Sequence, residues 1–160
     1  MYRLASVVSG LVLALVMSLP EGAPAGTRPF QGCKAHPSEE TCSFSDPFVE
    51  DCSADSALVA YAFSPDNFIT VGLRYSPSCL SAWTVVRNDI RVPGRLRATI
   101  VSSDGVGSAR DDFLSAVSEM LYVGPERPDR TVQAIGRLFD STTGKVRSLA
   151  QTPFIDPSPW

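Results

Sequence analysis

Ile69, Val71, Leu73 and Tyr75 alternate with Thr70, Gly72, Arg74 and Ser76, the period of two that turns one side of an extended strand to a core and the other to water. The spacing predicts a strand over residues 68–76. A second strand over 57–63 is joined to it by Ser64-Pro65-Asp66-Asn67, a turn with proline at its second position and an asparagine that tolerates positive φ. Runs at 83–90 and 96–102 flank Val92-Pro93-Gly94 and predict another hairpin. Runs at 131–139 and 145–150 flank Asp140-Ser141-Thr142-Thr143-Gly144, where Gly144 suits a left-handed turn position, and predict a terminal hairpin. Residues 111–122 carry two readings. Phe113, Leu114, Val117, Met120 and Leu121 recur at helical spacing behind Asp111 as a cap, while Leu121-Tyr122-Val123 before Gly124-Pro125 reads as a strand. Residues 26–51 show no apolar period and read as irregular, and the proline-bearing stretch 152–160 reads as an extended tail. Five to seven strands joined by short turns imply an all-β, mainly antiparallel fold, a small sandwich or barrel with room for one short helix.

The start of the chain has a different texture. After Arg3, residues 4–19 carry no charge until Pro20 breaks the run. A helix of that length covers only about 24 Å of a hydrocarbon layer roughly 30 Å thick, so the stretch reads as a secretory signal. Ala23-Pro24-Ala25 offers the small residues for cleavage after Ala25; an uncleaved anchor is the competing reading. Cleavage leaves residues 26–160 as one secreted domain: an irregular segment 26–51, a β core 52–151 and the tail 152–160. The expected location is extracellular or associated with the cell wall, with no stable membrane span once the leader is removed.

Cys33, Cys42, Cys52 and Cys79 all follow the leader, and an even count in an exported chain points to two disulfides. Their spacings do not resemble zinc knuckles. Residues facing each other across the first hairpin are expected to have numbers adding to about 131, as those of Cys52 and Cys79 do. That pairs Cys52 with Cys79 near the open end of the hairpin and leaves Cys33 with Cys42.

Composition adds limits. The 160 residues carry 14 Lys+Arg against 17 Asp+Glu for a net charge of −3, with 44% hydrophobic and 19% charged residues. Such usage is that of a globular domain, and the charge argues against nucleic acid as a partner. His36 is the only histidine and no G-x-S-x-G elbow accompanies it, so it reads as a loop residue with no catalytic role. Glu39, Glu40, Asp46, Glu50, Asp51 and Asp55 cluster without the alternating pattern of a calcium loop and read as a solvated acidic segment. Arg87, Arg91, Arg95 and Arg97 gather around Pro93-Gly94, where guanidinium forks suit phosphate or carboxylate groups of a polymer. Trp83, four residues after Cys79, has two readings, a stacking platform for a sugar and a lid on the disulfide. Arg74, on the polar side of its strand, reads as one half of a structural ion pair.

Cys52-Ser53-Ala54-Asp55, followed by Leu73-Arg74-Tyr75-Ser76-Pro77-Ser78-Cys79-Leu80-Ser81-Ala82-Trp83, resembles an actinobacterial domain family of unknown function. Its core is Arg-Tyr-Ser-x-x-Cys-x-x-x-Trp, and the likeness covers about residues 32–83, the remainder by strand texture alone. The resemblance implies secreted modules, or extracellular parts behind a membrane segment, some preceded by a helix-turn-helix regulator. It implies no activity. Gly72 stands where that pattern has a glutamate before Leu-Arg, and Thr84-Val85 where it has Ala-Arg after the tryptophan, so no role tied to those side chains carries over.

The reading these features support is a secreted, non-enzymatic binding or structural module of the bacterial envelope, without cofactor or metal, using Arg87, Arg91, Arg95, Arg97 and Trp83 as its binding set. Its partner would be a cell-wall polymer or another extracellular protein. The alternatives are an extracellular hydrolase using carboxylates such as Glu39 or Asp46, and a protease inhibitor presenting residues 125–130.

Overall fold

A computed structural model describes residues 32–157; the leader with its cleavage site and the last three residues lie outside the described residues. The elements are α1 (Glu39–Cys42), β1 (Ala57–Phe63), β2 (Ile69–Ser76), β3 (Ser81–Asn88), β4 (Arg95–Ser102), β5 (Gly107–Asp112), β6 (Ser115–Val117), β7 (Leu121–Tyr122), β8 (Val132–Phe139) and β9 (Val146–Gln151). They make two antiparallel sheets that pack face to face without closing into a barrel. The first runs β1-β2-β3-β6, with β7 also on β3, and the second runs β5-β4-β8-β9. No helix among the described residues is long and apolar enough to cross a membrane.

The alternation in β2 holds as expected: Ile69, Val71, Leu73 and Tyr75 are buried against Leu96, Ile100, Val132 and Leu138 of the opposite sheet. The sheets approach closely at Gly136, where an added Cβ would stand 3.0 Å from Val86 and 3.3 Å from Val71. Thr84, also buried, donates from Oγ1 to the Thr99 carbonyl at 2.8 Å across the same interface. Because a packed core has no slack for an extra methyl, Gly136→Ala is expected to lower stability by about 1–2 kcal/mol. A urea midpoint equal to that of the parent would show that the sheets can separate at no cost.

The first hairpin forms, but its register differs from expectation. Phe63 faces Thr70, and after a bulge between Leu58 and Ala60, Ala57 faces Tyr75. Phe68 belongs to the turn instead of β2, because its N–H is taken by Ser64 Oγ at 3.1 Å and Asp66 Oδ1 at 3.1 Å. Asn67 takes φ +57 as the turn requires. The terminal hairpin also forms, with Gly144 at φ +67.

Two expectations are corrected and one open reading is decided. Residues 83–90 and 96–102 do not form a hairpin: β3 and β4 lie in different sheets. The intervening loop bends around Asn88, whose side chain donates to the Val92 carbonyl at 2.6 Å and accepts from its N–H at 3.0 Å. Residues 111–122 follow the strand reading of the two and not the helical one. Their backbone pairs with β4 through β5 and with β3 through β6 and β7, crossing between sheets at Phe113-Leu114. The one short helix instead lies in the stretch read as irregular, where Ser38 and Thr41 form a capping box for α1. Among the described residues the strands number nine, above the five to seven expected, in part because β5 carries almost no apolar signal, Ser108 being its only buried residue.

Candidate functional site

The outer surface of the first sheet is divided in two. Over one end, α1 and the loops to Ser56 fold back across β3 and build a second, smaller core from Cys33, Cys42, Cys52, Cys79, Trp83, Met120 and Tyr122. Cys33 is joined to Cys42 and Cys52 to Cys79. The sulfurs of Cys33, Cys52 and Cys79 lie within 4.8 Å of one another, but all are in disulfides and none is a thiolate able to hold a metal.

The Arg-Tyr-Ser-x-x-Cys stretch ties this segment down. Ser76 donates to Asp55 Oδ1 at 2.6 Å and accepts from the Cys79 N–H at 3.2 Å, while the Ser78 N–H donates to Asp55 Oδ2 at 2.9 Å. Arg74 donates from Nε to Ser56 Oγ at 3.0 Å and from Nη2 to the Ser56 carbonyl at 2.9 Å. The expected ion pair of Arg74 is therefore a pair of bonds to one serine. Trp83 is fully buried in the disulfide core, which removes it as an exposed stacking platform.

Beyond this covered end the face is open, and strand register lays it out in rows across β1, β2, β3 and β6. Tyr61 faces Gly72, Gly72 faces Val85, and Val85 faces Val117. Gly72 leaves that row without a side chain on β2, and Leu58 leans into the space, its Cδ1 2.7 Å from where a Cβ would stand, so the two together form the floor of a trough. One bank carries Phe63, Thr70, Arg87 and Ser115, and the other Leu58, Arg74 and Trp83. Two open cavities of about 160 and 400 Å³ lie along it, sharing Arg74, Val85 and Arg87. The Arg87 side chain is exposed and makes no hydrogen bond or ion pair with the described residues. Tyr61 and Phe63 meet edge to face at 5.7 Å on the outer rim.

The structure does not bring the four expected arginines together. Arg87 lies on the outer face of the first sheet, whereas Arg95 and Arg97 lie on the outer face of the second, because the chain changes sheets between them. Arg97 pairs with Asp111 at 2.6 Å and Arg95 at 3.4 Å, and both guanidinium groups stand over Phe139. The Arg97 hydrogen bond holds the Asp111 carboxyl below its ordinary value, against partial burial. Arg91 sits in the crossing loop at φ +52. Sequence reasoning missed the trough because its floor depends on the absence of a side chain at Gly72 and its banks come from four strands; only the alternation in β2 pointed there.

The acidic residues are held separately. Asp46 pairs with Arg110 at 2.5 Å; partial burial pushes its carboxyl up, but Arg110 and the N–H groups of Phe48 and Val49 outweigh that and leave it below the usual value. Glu50 accepts from the Cys33 N–H at 2.7 Å, and Asp51 pairs with Lys34 at 2.6 Å. Glu39 takes Arg130 at 2.8 Å and Arg127 at 3.5 Å. Arg130 of the 125–130 stretch thus points into the protein, its side chain only 2% exposed.

Fold and site define a two-sheet β module, stapled by two disulfides and carrying a cationic trough on one outer face. The chain belongs to the family described as "Protein of unknown function (DUF2690)", whose model matches residues 40–135, from α1 into β8. No curated protein and no solved structure matches it.

Proposed function

We propose that the protein is a non-enzymatic binding module working outside the cytoplasm at the bacterial envelope, and that it binds through the outer face of the β1-β2-β3-β6 sheet. The observation that carries this reading is the trough over Gly72, with an exposed guanidinium at Arg87 that no described residue neutralises. Two disulfides support the location, since such bonds persist in oxidising compartments and are reduced in the cytosol. Glu39 and Asp46, the acids of the hydrolase alternative, each sit in an ion pair with a different arginine, which favours a structural role.

The test is retention on isolated cell envelope at low salt. Arg87→Glu is expected to reduce retention about tenfold or more, by removing a charge-assisted bond and adding repulsion. The Arg95→Ala/Arg97→Ala double variant, on the opposite face, is expected to retain as the parent does. Loss in the double variant with none in Arg87→Glu would place binding on the second sheet and overturn the reading.

A further inference from the structure

We infer that the trough takes a carboxylate-bearing saccharide chain laid across the strands, an assignment of ligand class that rests on the binding reading above. Its direction comes first. The row Tyr61, Gly72, Val85 and Val117 runs perpendicular to β1, β2, β3 and β6, and three strand spacings give it a length of roughly 14 Å. A ligand on this path crosses strands whose backbone groups are already paired with one another. An extended peptide gains its affinity on a sheet from main-chain hydrogen bonds along an edge, and the trough offers it none. A chain of rigid rings needs no such ladder.

The wall chemistry points the same way. Tyr61 lines the smaller cavity and Phe48, 62% exposed, the larger, so each holds an exposed aromatic side chain for the C–H face of a sugar. Ser53, Ser56 and Ser115 line the larger cavity, the Ser56 hydroxyl already accepting from Arg74 and donating to the Ser53 carbonyl. No Asp or Glu lines either cavity, so nothing repels an anion. Of the two guanidinium groups on the banks, Arg74 is already bound to Ser56 and Arg87 is not. One open fork suits one flat, singly charged carboxylate.

The indole closest to the trough is covered. Trp83 lines the larger cavity, and its Nε1 hydrogen is buried with no acceptor among the described residues. A buried donor left unpaired costs stability. Because Trp83 is 0% exposed, a ligand in the cavity does not reach that hydrogen, and the indole serves beside the trough as a reporter and not as a contact.

Trp83 also makes the test readable. The chain has two tryptophans, Trp83 and Trp160, so Trp160→Phe leaves Trp83 as the sole indole. In that background, oligogalacturonate is the probe, with a neutral oligoglucoside of equal length and polyglutamate as comparisons. Oligogalacturonate is expected to change the Trp83 emission saturably, and Arg87→Ala to weaken it about tenfold. The neutral sugar and polyglutamate are expected to bind at least about tenfold more weakly. Equal binding of polyglutamate would make charge alone the determinant and overturn the saccharide assignment. So would equal binding of the neutral sugar, or an unchanged affinity in Arg87→Ala. Arg87-dependent retention on envelope with no response to oligogalacturonate would overturn the ligand class and leave the binding face standing. Absence of both would remove the two readings together.

Discussion

Arg130→Ala is expected to destabilise the protein by about 3 kcal/mol, the lower end of the range for removing one partner of a buried ion pair. The side chain is 2% exposed and joins three parts of the chain. Nη1 donates to Glu39 Oε2 of α1 at 2.8 Å and to the Tyr122 carbonyl of β7 at 2.7 Å, while Nε and Nη2 donate to Asp104 Oδ2 in the β4–β5 turn at 3.1 and 2.7 Å. Alanine leaves the carbonyl and both acids without that donor, and opens the space the guanidinium filled. The effect stays near the lower end because Glu39 and Asp104 are themselves 31% and 37% exposed and water can reach them. Arg130→Met, which keeps most of the volume, separates lost packing from lost bonds. An unfolding free energy from urea titration lowered by less than about 1 kcal/mol in Arg130→Ala would show that the clamp is dispensable.

The same cluster sets part of the acid response. The Ser102 hydroxyl and then the Arg130 guanidinium lower the Asp104 carboxyl from its ordinary value of 3.8 to about 2. A carboxyl depressed in the folded state gives stability that is present above the unfolded value and disappears as pH falls through the folded one. Stability from this group is therefore expected to decline between about pH 5 and pH 2. Arg130→Met removes one of its causes, so its stability is expected to fall less steeply over that interval. A parallel decline in the two proteins would show that the guanidinium does not act on Asp104.

Removing the Cys52–Cys79 bridge by a double alanine substitution is expected to cost about 3.6 kcal/mol, the chain-entropy value for its 28-residue loop. The Cys33–Cys42 bridge closes a 10-residue loop and is expected to contribute about 2.7 kcal/mol. Packing does not separate the two bridges, since all four cysteines are fully buried in the cluster with Trp83, so the difference comes from loop length. Asp55, Ser76 and Arg74 would then hold residues 52–56 through exposed or half-exposed hydrogen bonds alone. Urea unfolding of the two double variants checks the order. A greater loss from the Cys33–Cys42 pair would mean that the N-terminal segment, not the first hairpin, limits stability.

Much of the fold is legible in the residues themselves. The alternation from Ile69 to Ser76, the left-handed conformation of Asn67 and that of Gly144 are local properties, set by side-chain period and turn sterics, and the structure keeps them. Register is less local. Moving Phe68 from strand to turn depends on Ser64 and Asp66 capturing one N–H, a competition between hydrogen bonds that composition does not display. Sheet membership is less local still. Nothing in Val92-Pro93-Gly94 distinguishes a tight hairpin from a loop that crosses to another sheet, and the helical spacing of Phe113, Leu114 and Val117 belongs to a segment that crosses back.

The sequence by itself determined a β class of fold, two hairpin turns and a cysteine set suited to two bridges, because each follows from short-range period, φ preference or count. Tertiary structure alone decided which arginines share a surface. Successive strands that lie in facing sheets send their outward side chains in opposite directions, so Arg87 and Arg97, ten residues apart in sequence, end on opposite sides of the molecule. The trough was decided in the same way, since Gly72 becomes part of a floor only when Tyr61, Val85 and Val117 are brought beside it by pairing across four strands.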